Sequence, residues 1–174
     1  MLRDFQEKIK GDSYLAWHQP NIHNVMPVAP TGSGKTVIVG AVITEMAVPT
    51  CAIAHRQELV AQMSLALNRE GVAHGIIAPK PVQQQIIALH HEIHGGSHYD
   101  YRSPVRVAGV DTLANHDTKD RWLDQVGLVV VDEGHHVLRE NKWGRAIAMF
   151  PNARGFFPTA HAIRADGCGL GRHA

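Results

Sequence analysis

Short aliphatic runs recur along the chain, and the gaps between them are long enough for helices. The runs lie at residues 24–28, 50–54, 74–77, 105–110, 127–131 and 154–157. Strand-length apolar segments alternating with helix-length ones predict βαβ units and a mostly parallel sheet. Gly127-Leu128-Val129-Val130-Val131 has no polar break, as expected of a strand covered on both faces. Within 58–69, Leu59, Val60, Met63, Ala66 and Leu67 fall at helical spacing and mark a core-facing stripe. Residues 95–104 are polar, begin with two glycines and read as a loop. The predicted class is α/β, with helices flanking the sheet. There is no internal repeat and no low-complexity tract. The 174 residues read as one domain.

One loop in this pattern carries chemistry. Residues 29–36 read Ala-Pro-Thr-Gly-Ser-Gly-Lys-Thr, with the apolar stretch Val25-Met26-Pro27-Val28 before them and Val37-Ile38-Val39-Gly40-Ala41-Val42-Ile43 after them. Thr31, Gly32, Ser33 and Gly34 can turn their backbone N–H groups inward on an anion, and glycine leaves room for a phosphate to approach the backbone. Lys35 can reach the β- and γ-phosphates of a nucleoside triphosphate, and the Thr36 hydroxyl can ligate Mg²⁺. Strand, loop and helix N-terminus are the context this pattern needs. Pro27 conflicts with it, because a proline in a central strand removes a ladder donor. A bulged or displaced strand, or a costly substitution, would each account for it.

A second segment completes the site. The run 127–131 ends in Asp132-Glu133-Gly134-His135-His136. Ligands bind at the C-terminal edge of open parallel sheets, so both carboxylates would face the crevice that holds Lys35. Asp132 is assigned to Mg²⁺ and Glu133 to the attacking water. The competing reading is a pair of acids that caps the next helix. His135 could hydrogen-bond the γ-phosphate network or a neighbouring strand end.

Composition narrows the class without changing it. The chain is 44% hydrophobic and 19% charged, and no apolar run approaches the ~18 residues of a membrane span. Its first residues are charged, with no apolar signal core, and two cysteines are too few for a disulfide scaffold. A cytoplasmic setting is expected. A net charge of +1 neither requires nor excludes nucleic acid. Thirteen histidines invite a metal reading, and the densest stretch is His90-His91-Glu92-Ile93-His94-Gly95-Gly96-Ser97-His98. The zincin pattern needs two residues between Glu and the second His, and only Ile93 lies there. A solvated helix end running into a Gly-rich loop is the simpler expectation.

Asp132-Glu133-Gly134-His135 resembles the DEAH box, and 29–36 resembles motif I, of superfamily 2 helicases and translocases. Further segments are similar to that family's motifs in the same order. Leu2-Arg3-Asp4-Phe5-Gln6 is similar to the leading segment, which implies that Arg3 and Gln6 read adenine. Ala54-His55-Arg56-Gln57-Glu58-Leu59 resembles motif Ia and Gly109-Val110-Asp111-Thr112-Leu113 motif Ib, which implies backbone contacts to one nucleic-acid strand through Arg56 and Thr112. Thr159-Ala160-His161-Ala162 followed by Arg164-Ala165-Asp166-Gly167 resembles motif III of the bacterial and phage branch near the type III restriction translocases. There His161 and Ala162 replace the family's Thr and Pro, which bears on how ATP is coupled to movement.

The resemblance implies the first of two RecA-like P-loop NTPase domains over residues 1–174, with the second domain absent from the chain. It also implies ATP and Mg²⁺ as ligands and nucleic acid as partner, DNA before RNA. A second helicase domain or a nuclease or modification subunit would complete the machine. Without the arginine finger of a second domain, worth roughly three to five orders of magnitude in turnover, weak ATP binding and poor hydrolysis are expected of the chain alone. Two other readings stand beside the motor. One is a P-loop small-molecule kinase; the other is a non-catalytic ATP-binding fragment of a disrupted helicase.

Overall fold

The computed structural model describes residues 2–133 and 142–160. Six strands form one sheet: β1 (Asn24–Val25), β2 (Thr50–Ala54), β3 (Gly75–Ile77), β4 (Val105–Gly109), β5 (Leu128–Val131) and β6 (Arg154–Phe156). All five pairings are parallel, in the order β1-β6-β5-β2-β4-β3. All six expected strands form, each at its expected place in the chain.

Side chains alternate along each strand, so the sheet carries a core on each face. Ala52, Ala54, Leu128, Val130 and Phe156 face α1 (Asp4–Trp17), α2 (Lys35–Met46), α3 (Gln57–Arg69) and α4 (Lys80–His94). Cys51, Ile53, Val129 and Val131 face the short helices α5 (Val110–Leu113), α6 (Trp122–Gln125) and α7 (Lys142–Ile147). The unbroken apolar run of β5 is buried at every position. The stripe predicted for 58–69 is the inner face of α3, where Val60, Met63 and Leu67 are buried. Doubly covered parallel strands with helical crossovers make this an α/β fold.

The strand ahead of the phosphate loop departs from its expected place at the centre. Among the described residues β1 pairs only with β6 and stands at the sheet edge. Phe157 N–H donates to the Val25 carbonyl at 2.9 Å and Thr159 N–H to the Pro27 carbonyl at 3.0 Å. Pro27 has no N–H to return, and the regular strand ends at Val25. Pairing resumes at once, with a bridge between Val28 and Thr159 and a 2.8 Å bond from Ala29 N–H to the Thr159 carbonyl. The proline interrupts a ladder at a rim, where the cost is one bond.

Histidine burial is a second correction. His90 belongs to α4 and is fully buried, not solvated, although His91 and His94 after it are exposed. The helix does end at Gly95, whose φ of +73° suits glycine, and runs into the expected loop.

Gly155 shows how tightly β6 is held. A Cβ there would overlap the ring of the buried Phe157 and Asn24 Oδ1. Gly155→Ala is therefore expected to cost about 1–3 kcal/mol through overpacking, read as a lower urea midpoint at unchanged slope. An unchanged midpoint would show that β6 can shift to admit a methyl group.

Candidate nucleotide site

The phosphate loop joins the edge strand to α2. Gly32 and Gly34 have φ values of +78° and +79°, in the left-handed region where a side chain is strained. Gly34 is the N-cap of α2 and supplies no side chain to the free N–H groups of the first turn. That turn contains no acidic residue. The positive end of a 12-residue helix dipole is thus left for an external anion. Ser33 Oγ is buried with no hydrogen-bond partner in the structure, an orphaned donor inside the loop.

The first turn of α1 is tied to this loop. Gln6 is 4% exposed; its Nε2 donates to the Ser33 carbonyl at 2.8 Å, and its Oε1 accepts the Arg3 N–H at 2.9 Å. A Cβ on Gly34 would come within 2.7 Å of Gln6 Nε2, so the second glycine also makes room for this brace. Arg3, Gln6 and the 32–34 loop line a cavity of about 830 Å³ that runs along α2 to Thr44 and Glu45. Arg3 is exposed at its mouth. Both ends of the Gln6 amide are engaged with protein, and each end keeps one further hydrogen-bonding position, one N–H and one oxygen lone pair.

Lys35 and the end of β5 meet on the other side of the loop. Lys35 Nζ, 12% exposed, lies 3.7 Å from Glu133 Oε1. Glu133 has a φ of +60°, a conformation rare outside glycine and Asn. Asp132 Oδ1 accepts the Glu133 N–H at 3.1 Å, and Asp132 N–H donates to the Ile53 carbonyl at 3.2 Å, so Asp132 continues the β5–β2 ladder. Burial, reinforced by the Glu133 carboxylate, raises the Asp132 pKa above its ordinary value, against the pull of Lys35. Two close acids, one resisting ionisation, form a donor set that a divalent cation would relieve. Thr36 follows Lys35 in the first turn of α2. These residues and the orphaned Ser33 hydroxyl fit a Mg²⁺–triphosphate.

Arg56 and Thr112 leave the sheet at the same edge. Ala54 and Gly109 are paired ends of β2 and β4. Arg56 is the exposed N-cap of α3, and Thr112 sits half-buried in α5. Two neighbouring contacts had no signal in the sequence. Lys142 Nζ binds Asp111 Oδ1 at 2.8 Å, tying α7 to α5 across 31 residues, and the His55 and Trp143 rings meet edge-on at 6.1 Å. Thr159, which opens the segment similar to motif III, is buried against the entry to the phosphate loop. Thr31 is exposed in the loop. His135, His161 and Ala162 lie outside the described residues.

Comparison with known proteins agrees with this architecture. The UvsW helicase of bacteriophage T4 superposes with a TM-score of 0.64 at 15% identity, over 92% of this chain and 52% of that one. The Hef helicase domain of Pyrococcus furiosus superposes with a TM-score of 0.62 at 21% identity, over 91% and 32%. The chain thus spans about half of the first and a third of the second. No curated protein matches it in sequence. The family described as "Type III restriction enzyme, res subunit" matches residues 1–162. With this match and these folds, the chain belongs to that family, and its fold is the RecA-like domain of superfamily 2 helicases.

Proposed function

We propose that this chain is the ATP-binding and ATP-hydrolysing half of a nucleic-acid-dependent motor, in which hydrolysis drives movement along DNA or RNA. The observation that carries the reading is the approach of Lys35 to Glu133, 3.7 Å apart. It brings a phosphate-loop cation and a sheet-edge carboxylate to one point, as phosphoryl transfer to water requires.

In this reading the 31–34 backbone and Lys35 hold the phosphates, and Glu133 orients and accepts a proton from the attacking water. Thr36 and Asp132 would hold Mg²⁺, which neutralises charge on the phosphates. Arg3 and Gln6 close the base end. His135 joins the γ-phosphate side. Arg56 and Thr112 meet the sugar-phosphate backbone of one strand, through contacts that position without reading sequence. A second RecA-like domain, on this or another chain, supplies the opposite wall of the cleft and an arginine finger.

ATP turnover measured with and without single-stranded DNA and RNA tests the proposal, with Glu133→Gln as the control. Stimulation by nucleic acid, lowered about 10²- to 10⁴-fold in the variant, is the expected result. Phosphoryl transfer to a small metabolite would make the chain a kinase. ATP binding with no turnover in any nucleic acid, even with a second domain supplied, would leave a non-catalytic module.

A further inference from the structure

Away from the nucleotide site, four side chains form a buried hydrogen-bonded chain on the α3–α4 side. Ser64 Oγ lies 2.7 Å from His74 Nε2 and 2.9 Å from His90 Nε2, and all three residues are fully buried. The partners fix the protons. His74 Nδ1 lies 2.8 Å from the Val72 carbonyl, which can only accept, so Nδ1–H donates and Nε2 accepts the Ser64 hydroxyl. Ser64 has one proton to give, so its oxygen accepts His90 Nε2–H. His90 Nδ1 then accepts the Ser97 hydroxyl at 2.9 Å, and Ser97 Oγ accepts the Tyr99 N–H at 3.2 Å.

Every donor points the same way and both imidazoles are neutral. An added proton on His90 Nδ1 would face the Ser97 hydroxyl donor to donor. On His74 Nε2 it would do the same to Ser64. Each case requires a hydroxyl to turn away and leaves a charge in an apolar layer.

Among the described residues, no carboxylate hydrogen-bonds to either ring to hold that charge. From α3 come Ser64, Asn68 and the exposed Arg69; from α4, His91 and His94; from the loop, Ser97, His98 and Asp100. Asn68 binds Gly96, His98 and His94, tying the same loop to α3. Asp100 caps its own turn through the Arg102 N–H. Burial and then the neighbouring imidazoles hold the His90 pKa down to about 4, and burial lowers that of His74.

We propose that this chain is a proton-operated latch, which fastens the end of α4 and the 95–104 loop to α3 while both histidines are neutral and releases them on protonation. The sign follows from linkage. Above the unfolded pKa of ~6.5 neither state takes the proton. Below it the released histidine takes a proton that the latched one refuses, so latching weakens as pH falls from ~6.5 towards 4.

Hydrogen exchange at pH 7 and pH 5, corrected for intrinsic rates, is the test. For His90 alone, opening of residues 86–104 relative to β2 and β5 should rise about 20-fold between these pH values. His90→Leu should remove the His90 share of the rise and leave only what His74 contributes. A rise of equal size across the whole sheet, or one undiminished in His90→Leu, would overturn the proposal. If that variant does not fold, imidazole NMR on the unaltered chain decides. A His90 ring still neutral at pH 5 in the latched state supports the latch, and one titrating near 6.5 with residues 86–104 still protected refutes it.

Discussion

Lys35→Ala is expected to weaken Mg-ATP binding about 10- to 100-fold in an equilibrium titration while leaving the melting temperature nearly unchanged. The ammonium sits at the positive end of α2, beside a loop whose glycines open the backbone to an anion. A charge-assisted hydrogen bond to phosphate contributes about 1.5–3 kcal/mol, and each 1.4 kcal/mol is tenfold in affinity. Its resting contact is looser. At 3.7 Å from Glu133 and partly exposed, it contributes under ~1 kcal/mol to folding. Binding and stability should therefore separate in this variant. Affinity within twofold of the unaltered chain would remove Lys35 from the phosphate site and, with it, the main support for the hydrolytic reading.

The largest stability effect is expected at Phe156. This side chain is fully buried on β6, between β1 and β5, with its ring centre 6.0 Å from that of Trp17 on α1. Phe156→Ala removes a side chain that packs β6 against the helix carrying Gln6. Losses at such positions run to about 3–5 kcal/mol, a large share of the 5–15 kcal/mol that holds a typical domain. Urea unfolding should show a markedly lower midpoint. A loss under about 1 kcal/mol would mean that α1 collapses onto the sheet and refills the space. Because α1 also carries the brace to Ser33, nucleotide affinity should fall together with stability, unlike in Lys35→Ala.

The strands were legible because burial on both faces leaves an unbroken aliphatic record, as in β5, and the phosphate loop because its glycines have no substitute. Strand order was not legible. Pro27 looked like a fault in a central strand, and nothing local says that β1 pairs with β6 at the edge of the described sheet. The histidine-rich stretch misled for a related reason. His90 is buried because Ser64 and Ser97, 26 residues before and seven after it, supply its hydrogen bonds. A polar residue in a core is announced by its partners, and partners so spaced share no pattern that periodicity can detect. The Gln6 brace is a similar case: the segment was recognisable, but its grip on the Ser33 carbonyl needed three dimensions.

Glu133 holds a left-handed backbone that glycine would adopt more easily, a strain of order 1 kcal/mol or more. If Glu133 serves the proposed hydrolysis, stability and chemistry pull in opposite directions at this residue. For a lineage that no longer needs the carboxylate, glycine there would be a gain. Under repeated random mutation selected for folding alone, the acid would erode before the glycines of the loop, and the domain would become sturdier as it fell silent.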